Sequence, residues 1–188
     1  DEEMTLAGLS GMLHDIGKLK IPTDLINKAG KLDDEEFKII QSHPGHGKEL
    51  IECQHAECKG IDFEIIKRVV YEHHENFNGT GYPNKLEGKN IHIFARIVAI
   101  ADFFDAITTK RSYHEVLSTP DALLVMSRTC GKKLDPNLFE VFTKTVDTFG
   151  TGTITSTLSE SYDPCQPQNV LPLEKADAKK KDFDIFGS

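Results

Sequence analysis

The chain reads as an all-α domain followed by a short irregular or β-containing extension. Three observations lead there. Apolar residues recur at the three- and four-residue spacing of a helix face from residue 4 to about residue 147. Helix start and stop signals punctuate that stretch. From Gly150 onward the composition turns to Thr, Ser, Pro and Lys with few apolar anchors.

Leu6, Leu9 and Leu13 share one helical face that runs straight into His14-Asp15, and the stretch Gly17-Lys18-Leu19-Lys20-Ile21-Pro22 then breaks the helix. Asp33 with Glu36 three residues later forms a capping box, opening a short helix that carries Phe37 and Ile40 and ends near His43-Pro44. A break at Pro44-Gly45 starts another short helix, and the polar, cysteine-bearing segment Glu52 to Gly60 is expected as a surface loop. Asp62 opens a stronger helix with Ile66, Val69, Val70 and His73 at core-facing spacing. Asn76 to Asn90, rich in Gly, Asn and Pro, is a loop. Ile97, Ala101, Phe104 and Ala106 mark a long helix that contains Asp102. Ser118-Thr119-Pro120-Asp121 begins the next helix, with Pro in the tolerated first turn and Gly131 as its stop. Asp135-Pro136 starts a last helix through Val141 to about Val146. Thr151 to Ser161, with its β-branched residues, suits a strand, a hairpin or irregular chain. Pro164 to Ser188, with Lys179-Lys180-Lys181, reads as a poorly structured tail. The domain is thus drawn at 1–149 and a partly disordered extension at 150–188.

Composition narrows the function classes. The 188 residues are 38% apolar and 28% charged, enough for a buried core and too apolar for global disorder. No apolar run approaches the roughly 18 to 20 residues that span a bilayer, and nothing at the start resembles a signal peptide. Membrane insertion and export are therefore not expected. The formal charge of -8, from 30 acids and 22 bases, argues against duplex nucleic acid and anionic membranes as partners. A small anionic ligand stays open, because bound metal ions reverse the local field. Cys53, Cys58, Cys130 and Cys165 are too few and too irregular for a disulfide framework. The expected location is the cytoplasm.

The chemistry resides in scattered metal-ligand types: His14-Asp15, His43, His73-His74 and Asp102. A carboxylate has two oxygens and can bridge two cations, while an adjacent imidazole caps one of them. Mixed imidazole and carboxylate ligands suit Fe, Mn, Zn or Ni and lack the thiolates of a structural zinc knot. Two such ions form a clamp for phosphoryl displacement. A single helical His is more often a core or surface residue, and Lys18 or Arg111 alone is more often a solvated charge. The joint arrangement is what carries the signal. On residues alone it reaches a metal-assisted phosphoester hydrolase.

His14-Asp15-Ile16-Gly17-Lys18, His73-His74-Glu75 and Gly79-Thr80-Gly81-Tyr82-Pro83 resemble the signature of HD-GYP domains. The likeness continues from Ala95 through Asp102 to Ala106 and on to Arg111-Ser112-Tyr113, covering roughly residues 4 to 147. The resemblance implies an HD-superfamily helical bundle that acts as a bacterial cyclic di-GMP phosphodiesterase with two or three divalent metal ions, iron or manganese first. It implies His14, Asp15, His43, His73, His74 and Asp102 as metal ligands, with Asp15 the bridge. Lys18 matches a lysine beside the scissile phosphate, and Asp15 and Lys18 are the catalytic candidates. Lys18, Tyr82 and Arg111 are the substrate-binding candidates, an aromatic ring for guanine and cations for phosphate. Implied partners are cyclic di-GMP and, through the Gly-Tyr-Pro loop, GGDEF-domain proteins; a homodimer is compatible with the pattern.

The pattern also has departures. Members usually carry a further ligating His, and three-metal members a Glu, on a helix well upstream of the His-Asp pair. Thirteen residues precede His14 and none is His, so either an N-terminal helix is missing or the metal site is incomplete; the first is the expectation, for a chain that reads as cut from a longer one. Asn78 stands where Asp is usual, and His114 where a basic residue is common. His46 and His92 read as surface or supporting residues. The expected reaction is hydrolysis of cyclic di-GMP to linear pGpG, and onward to GMP. Two alternatives belong to other classes: a cyclic di-GMP-binding interaction module with weak catalysis, and a general HD-superfamily nucleotide phosphohydrolase.

Overall fold

The computed structural model describes residues 2–28, 30–54, 61–109 and 116–149, and all regular structure among them is helical. Extended pairing among the described residues is confined to two isolated bridges, Asn78 with Glu87 and Cys130 with Leu134. The expected strand or hairpin and the tail lie outside the described residues, as do Arg111 and His114.

Helix α1 (Glu2–Leu13) packs Leu6, Leu9 and Leu13 against the buried Ile51, Ile66 and Val70. A 3-10 turn over Ile16–Lys20 follows, and then a single-turn helix α2 (Thr23–Ile26), which is too short to announce itself by periodicity. Helix α3 (Asp34–Ile40) opens with the expected capping box: the Asp33 carboxylate accepts the Glu36 N–H at 2.8 Å, and the Glu36 carboxylate accepts the Asp33 N–H at 2.8 Å.

Helix α4 (His43–Gln54) corrects two expectations. Its first residue is His43, and Pro44 lies inside the first turn, where its missing N–H leaves no bond unmade. It also continues through Cys53, so the segment expected as loop from Glu52 is helical to Gln54; residues 55–60 lie outside the described residues. Helix α5 (Phe63–Glu72) is capped by Asp62, which accepts the N–H groups of Glu64 and Ile65 at 3.0 and 3.3 Å. It buries Ile66, Val69 and Val70 completely, each worth about 1.5–3 kcal/mol relative to exposure.

After the 76–90 loop, helix α6 (Ile93–Thr108) runs through the middle of the fold. Its position was expected, but its buried face was not. Ala95, Val98, Ile100, Phe103 and Ile107 face the interior, while Ile97 is 40% exposed and Ala101 faces solvent. A helix apolar nearly all round carries too little asymmetry for the spacing to choose a face. Helix α7 (Thr119–Ser127) starts at Ser118, whose hydroxyl accepts the Asp121 N–H at 3.3 Å. It ends before Gly131, whose φ of 74° belongs to the turn that follows. Helix α8 (Pro136–Phe149) follows Asp135 as expected.

Two packed regions result. Helices α1, α4 and α5 close around Ile51, Ile66 and Val70, and α6, α7 and α8 around Ile107, Ala122, Met126 and Phe139. Val69 on α5 meets Ala95 and Val98 on α6, which joins the two. Among the described residues no helix is long and apolar enough to cross a membrane.

A buried ion pair locks α6 to the start of α8. Arg96 donates to the Asp135 carboxylate and to the Ile91 carbonyl at 3.1 Å, while Asp135 caps α8 by accepting the Asn137 N–H at 2.9 Å. Asp135 is 4% exposed, so Arg96→Ala strands its charge in the interior. The expected cost is about 3 kcal/mol, read as a lower urea midpoint at unchanged slope.

Candidate metal centre

Helix ends deliver most of the ligand-type side chains. His14 and Asp15 follow the last turn of α1, His43 opens α4, His73 and His74 follow α5, and Asp102 projects from within α6. Two glycines permit the approach of these segments. A Cβ on Gly17 would lie 1.9 Å from the His43 carbonyl oxygen and 2.4 Å from the Gly47 nitrogen. A Cβ on Gly47 would lie 2.5 Å from the Val70 side chain. The turn after Asp15 therefore rests directly on the first turn of α4, a contact open only to a residue without a side chain.

The result is two overlapping groups that share Asp15. In one, ligand atoms of Asp15, His43, His73 and His74 all lie within 4.8 Å of one another; in the other, those of His14, Asp15 and Asp102 do. Asp15 Oδ1 faces His43 Nε2 at 3.2 Å and His73 Nε2 at 3.9 Å. Asp15 Oδ2 faces His14 Nε2 at 3.4 Å and Lys18 Nζ at 2.5 Å. His14 Nε2 also approaches Asp102 Oδ1 at 3.6 Å, and the Nε2 atoms of His43 and His73 stand 3.3 Å apart. The structure thus brings all six expected ligands together.

Ring orientation is fixed locally. His14, His43 and His73 each direct Nδ1 at the carbonyl three residues upstream: Gly11 at 2.6 Å, Ile40 at 2.7 Å and Val70 at 2.8 Å. A carbonyl only accepts, so Nδ1 carries a proton and Nε2 is the nitrogen turned toward the cluster. Outer hydrogen bonds of this kind accompany metal-ligating histidines.

Charge in the cluster is unevenly held. Burial opposes a charged imidazole at His14, but the Asp102 and Asp15 carboxylates and the Gly11 carbonyl prevail and push it up to about 10. Burial alone would raise the Asp15 carboxyl; His14, His43 and Lys18 instead hold it far below the usual carboxylate range. Burial, reinforced by His14 and His43, pushes His73 down to about 3, and burial beside His73 and His43 also lowers His74. Asp102 is held low against burial by His14.

Two buried atoms, His14 Nε2 and Asp15 Oδ1, have no partner in hydrogen-bonding geometry among the described residues. An orphaned acceptor and an imidazole nitrogen aimed at the same carboxylate call for a partner between them, and a cation is one that serves both. The donor set is imidazole and carboxylate with no sulfur, which fits a divalent transition metal.

The remaining candidates fall in different places. Lys18 is 39% exposed and ion-paired with Asp15. Tyr82 lies over His74, ring centroids 4.9 Å apart and planes 25° from parallel. Arg111 lies outside the described residues. His46 sits on α4 near Glu49, and His92 caps α6, its ring accepting the Phe94 N–H at 3.2 Å. Sequence reasoning assigned no role to Glu75, a buried carboxylate that accepts the Asn84 N–H at 2.6 Å and the Leu86 N–H at 3.0 Å. It also passed over Glu72, buried with Arg68 at 2.7 Å and the His92 N–H at 2.6 Å. A charged residue directly after a histidine doublet was the available signal for Glu75.

The sequence matches the HD domain family over residues 1–138. It is 38% identical over 149 residues to a cyclic di-GMP phosphodiesterase of Pseudomonas aeruginosa, covering 79% of this chain and 34% of that protein. A 3'3'-cGAMP-specific phosphodiesterase of Vibrio cholerae is 37% identical over 137 residues, covering 73% of this chain and 26% of that protein. Among solved structures, a cyclic GMP-AMP specific phosphodiesterase of V. cholerae superposes with a TM-score of 0.55 at 18% identity, over 78% of this chain and 39% of that one, a likeness of fold. The chain spans about a third or less of the length of these curated relatives. With the family match running from α1 into α8, and His14-Asp15 at the heart of the ligand cluster, the chain belongs to the HD domain family, in its HD-GYP form.

Proposed function

We propose that this chain is a metal-dependent phosphodiesterase that opens cyclic di-GMP to linear pGpG, and onward to GMP, in bacterial second-messenger signalling. The observation that carries the reading is the shared carboxylate: one Asp15 oxygen faces His43 and His73, the other faces His14. That is the arrangement a bridging ligand between two cations requires. Relatives named for cyclic dinucleotide hydrolysis support the substrate class.

In this reading His43, His73, His74 and Asp15 hold one divalent cation, and His14, Asp15 and Asp102 hold a second, with iron or manganese preferred by the mixed nitrogen and oxygen donors. Such a pair supplies Lewis-acid assistance to phosphoryl displacement. The Nδ1 bonds to Gly11, Ile40 and Val70 fix three of the rings, so the ligands need no reorganisation. Lys18, partly in solvent beside Asp15, places a compact positive charge where phosphoryl oxygens gain charge. Tyr82 offers a ring for guanine and Arg111 a guanidinium for phosphate. Hydrolysis adds water across one P–O3' bond, leaving a 5'-phosphate and a free 3'-hydroxyl. Pro83, Asn84 and Lys85 are exposed beside Tyr82, which leaves the rim of this loop open to a GGDEF-domain partner. A cyclic di-GMP substrate made inside bacteria assigns the enzyme to the cytoplasm.

Changing His14 and Asp15 together to Ala removes one ligand and the shared carboxylate. Turnover of cyclic di-GMP should fall to background and bound metal should drop, with the helical circular dichroism kept. Wild-type turnover in the metal-loaded variant would refute the reading, and a parallel assay with 3'3'-cGAMP decides between the two cyclic dinucleotides.

The charge balance also fixes a pH profile for the metal-free protein. Between pH 6.5 and about 10 the folded state keeps a proton on His14 that the unfolded chain has released, so stability falls as pH rises. Between about 3 and 6.5 the unfolded chain protonates His73 while the folded state keeps it neutral, so stability falls as pH drops. Urea unfolding in EDTA should therefore be most resistant near neutrality, and His14→Ala should flatten the alkaline limb.

A further inference from the structure

The four histidines of the cluster are not held alike. The rings of His14, His43 and His73 are each fixed by an Nδ1 bond to the carbonyl three residues upstream. None of the hydrogen bonds among the described residues reaches the His74 ring. That ring packs instead against His73 at 4.2 Å and His43 at 4.9 Å within the cluster, and from outside it against Tyr82, stacked at 4.9 Å and 25°. Tyr82 is tied to the same residue through its backbone, its N–H donating to the His74 carbonyl at 3.2 Å.

The loop that carries Tyr82 is clamped on both sides of it. On the near side, Gly81 lies against the backbone it has just left. A Cβ there would stand 2.2 Å from the Asn76 nitrogen and 2.5 Å from the Glu75 Cα, so only glycine brings the chain back this closely. On the far side, the Glu75 carboxylate accepts the Asn84 and Leu86 N–H groups at 2.6 and 3.0 Å, with the Lys85 amide beside them. Lys85 has a φ of 56°, in the left-handed region that costs an ordinary residue about 1 kcal/mol or more. The carboxylate grips the chain on both sides of that bend. Glu75 is 4% exposed, and none of the ion pairs among the described residues involves it. A buried carboxylate held by neutral amides is an expensive way to shape a loop. Its return lies in what the loop presents, which is the Tyr82 ring on the one histidine of the cluster whose ring has no backbone hydrogen bond among the described residues.

We propose that Glu75 and Tyr82 are positioning residues that orient His74 as a metal ligand, Tyr82 through its ring and Glu75 by fixing the loop that carries Tyr82. This rests on the reading of His74 as a ligand, and it adds a role for Tyr82 distinct from contact with a guanine base.

The test is cation affinity of the full chain without any nucleotide, by titrating Co2+ against a competing chelator and following the visible Co2+ spectrum. Tyr82→Ala should weaken binding about ten-fold or more, while Tyr82→Phe, which keeps the ring, should stay within about two-fold of wild type. Glu75→Gln puts a donor amide opposite backbone donors and should weaken binding to a similar extent. The double variant Glu75→Gln with Tyr82→Ala should bind no more weakly than Tyr82→Ala alone, because both act through one ring. Wild-type affinity in Tyr82→Ala, equal losses in Tyr82→Phe and Tyr82→Ala, or additive losses in the double variant would overturn the proposal. If Glu75→Gln does not fold, the Ala and Phe pair at position 82 decides. His74→Ala is the control that separates the two readings. Unchanged affinity there removes His74 from the ligand set and the proposal with it, whereas weakened affinity there with none in Tyr82→Ala leaves the ligand assignment standing and rejects only the positioning role.

Discussion

Everything in the centre depends on one half-buried carboxylate being shared. Asp15 stands among His14, His43, His73 and Lys18, and each of its oxygens is committed to a different set of neighbours. Its side chain is 31% exposed, and the part withdrawn from water is held by the positive and hydrogen-bonding partners around it. The surrounding imidazoles cannot all be charged at once, because the Nε2 atoms of His43 and His73 stand 3.3 Å apart and the rings of His73 and His74 pack at 4.2 Å. The cluster therefore divides its charge, with His14 favouring the proton and His73 and His74 refusing it. Divalent cations held here, as proposed, would satisfy these groups together.

The bundle is arranged to make that sharing possible. Helices α1, α4 and α5 end or begin where the cluster forms, so helix termini rather than long loops carry His14, Asp15, His43, His73 and His74. Gly17 lets the turn after Asp15 touch the backbone of α4, which brings the His43 ring to the Asp15 carboxylate. Helix α6 crosses the same region and supplies Asp102 from its middle, while its opposite end is anchored by Arg96 on Asp135. The apolar contact of Val69 with Ala95 and Val98 joins the ligand-bearing helices to the α6–α8 region.

Most of this was legible in the sequence where the signal is local. The Asp33 and Glu36 capping box, the Asp62 and Ser118 caps, and the Leu6, Leu9 and Leu13 face are short-range patterns with their own physics, and they reappear as read. That His14, Asp15, His43, His73, His74 and Asp102 would gather was legible because adjacent His-Asp and His-His pairs are chemically unusual in combination. The buried face of α6 was not, because its apolar residues surround the helix and only the neighbouring helices choose among them. The start of α4 at His43 was misjudged because Pro and Gly usually interrupt a helix, yet the first turn accepts both. Nor could spacing reveal that Glu75 reaches the amides of a loop nine and eleven residues away.

The Nδ1 bonds of His14, His43 and His73 have a wider consequence. Each ring takes its aim from a carbonyl on its own chain segment three residues back, so its bearing is an internal property of one helical turn. Aim and placement are thereby separated: bundle packing sets where a turn lies, and the turn itself sets which nitrogen looks inward. Such a turn is portable, and the outer surface of the bundle can be refashioned for new sensors or attachments without retuning the angles at its centre.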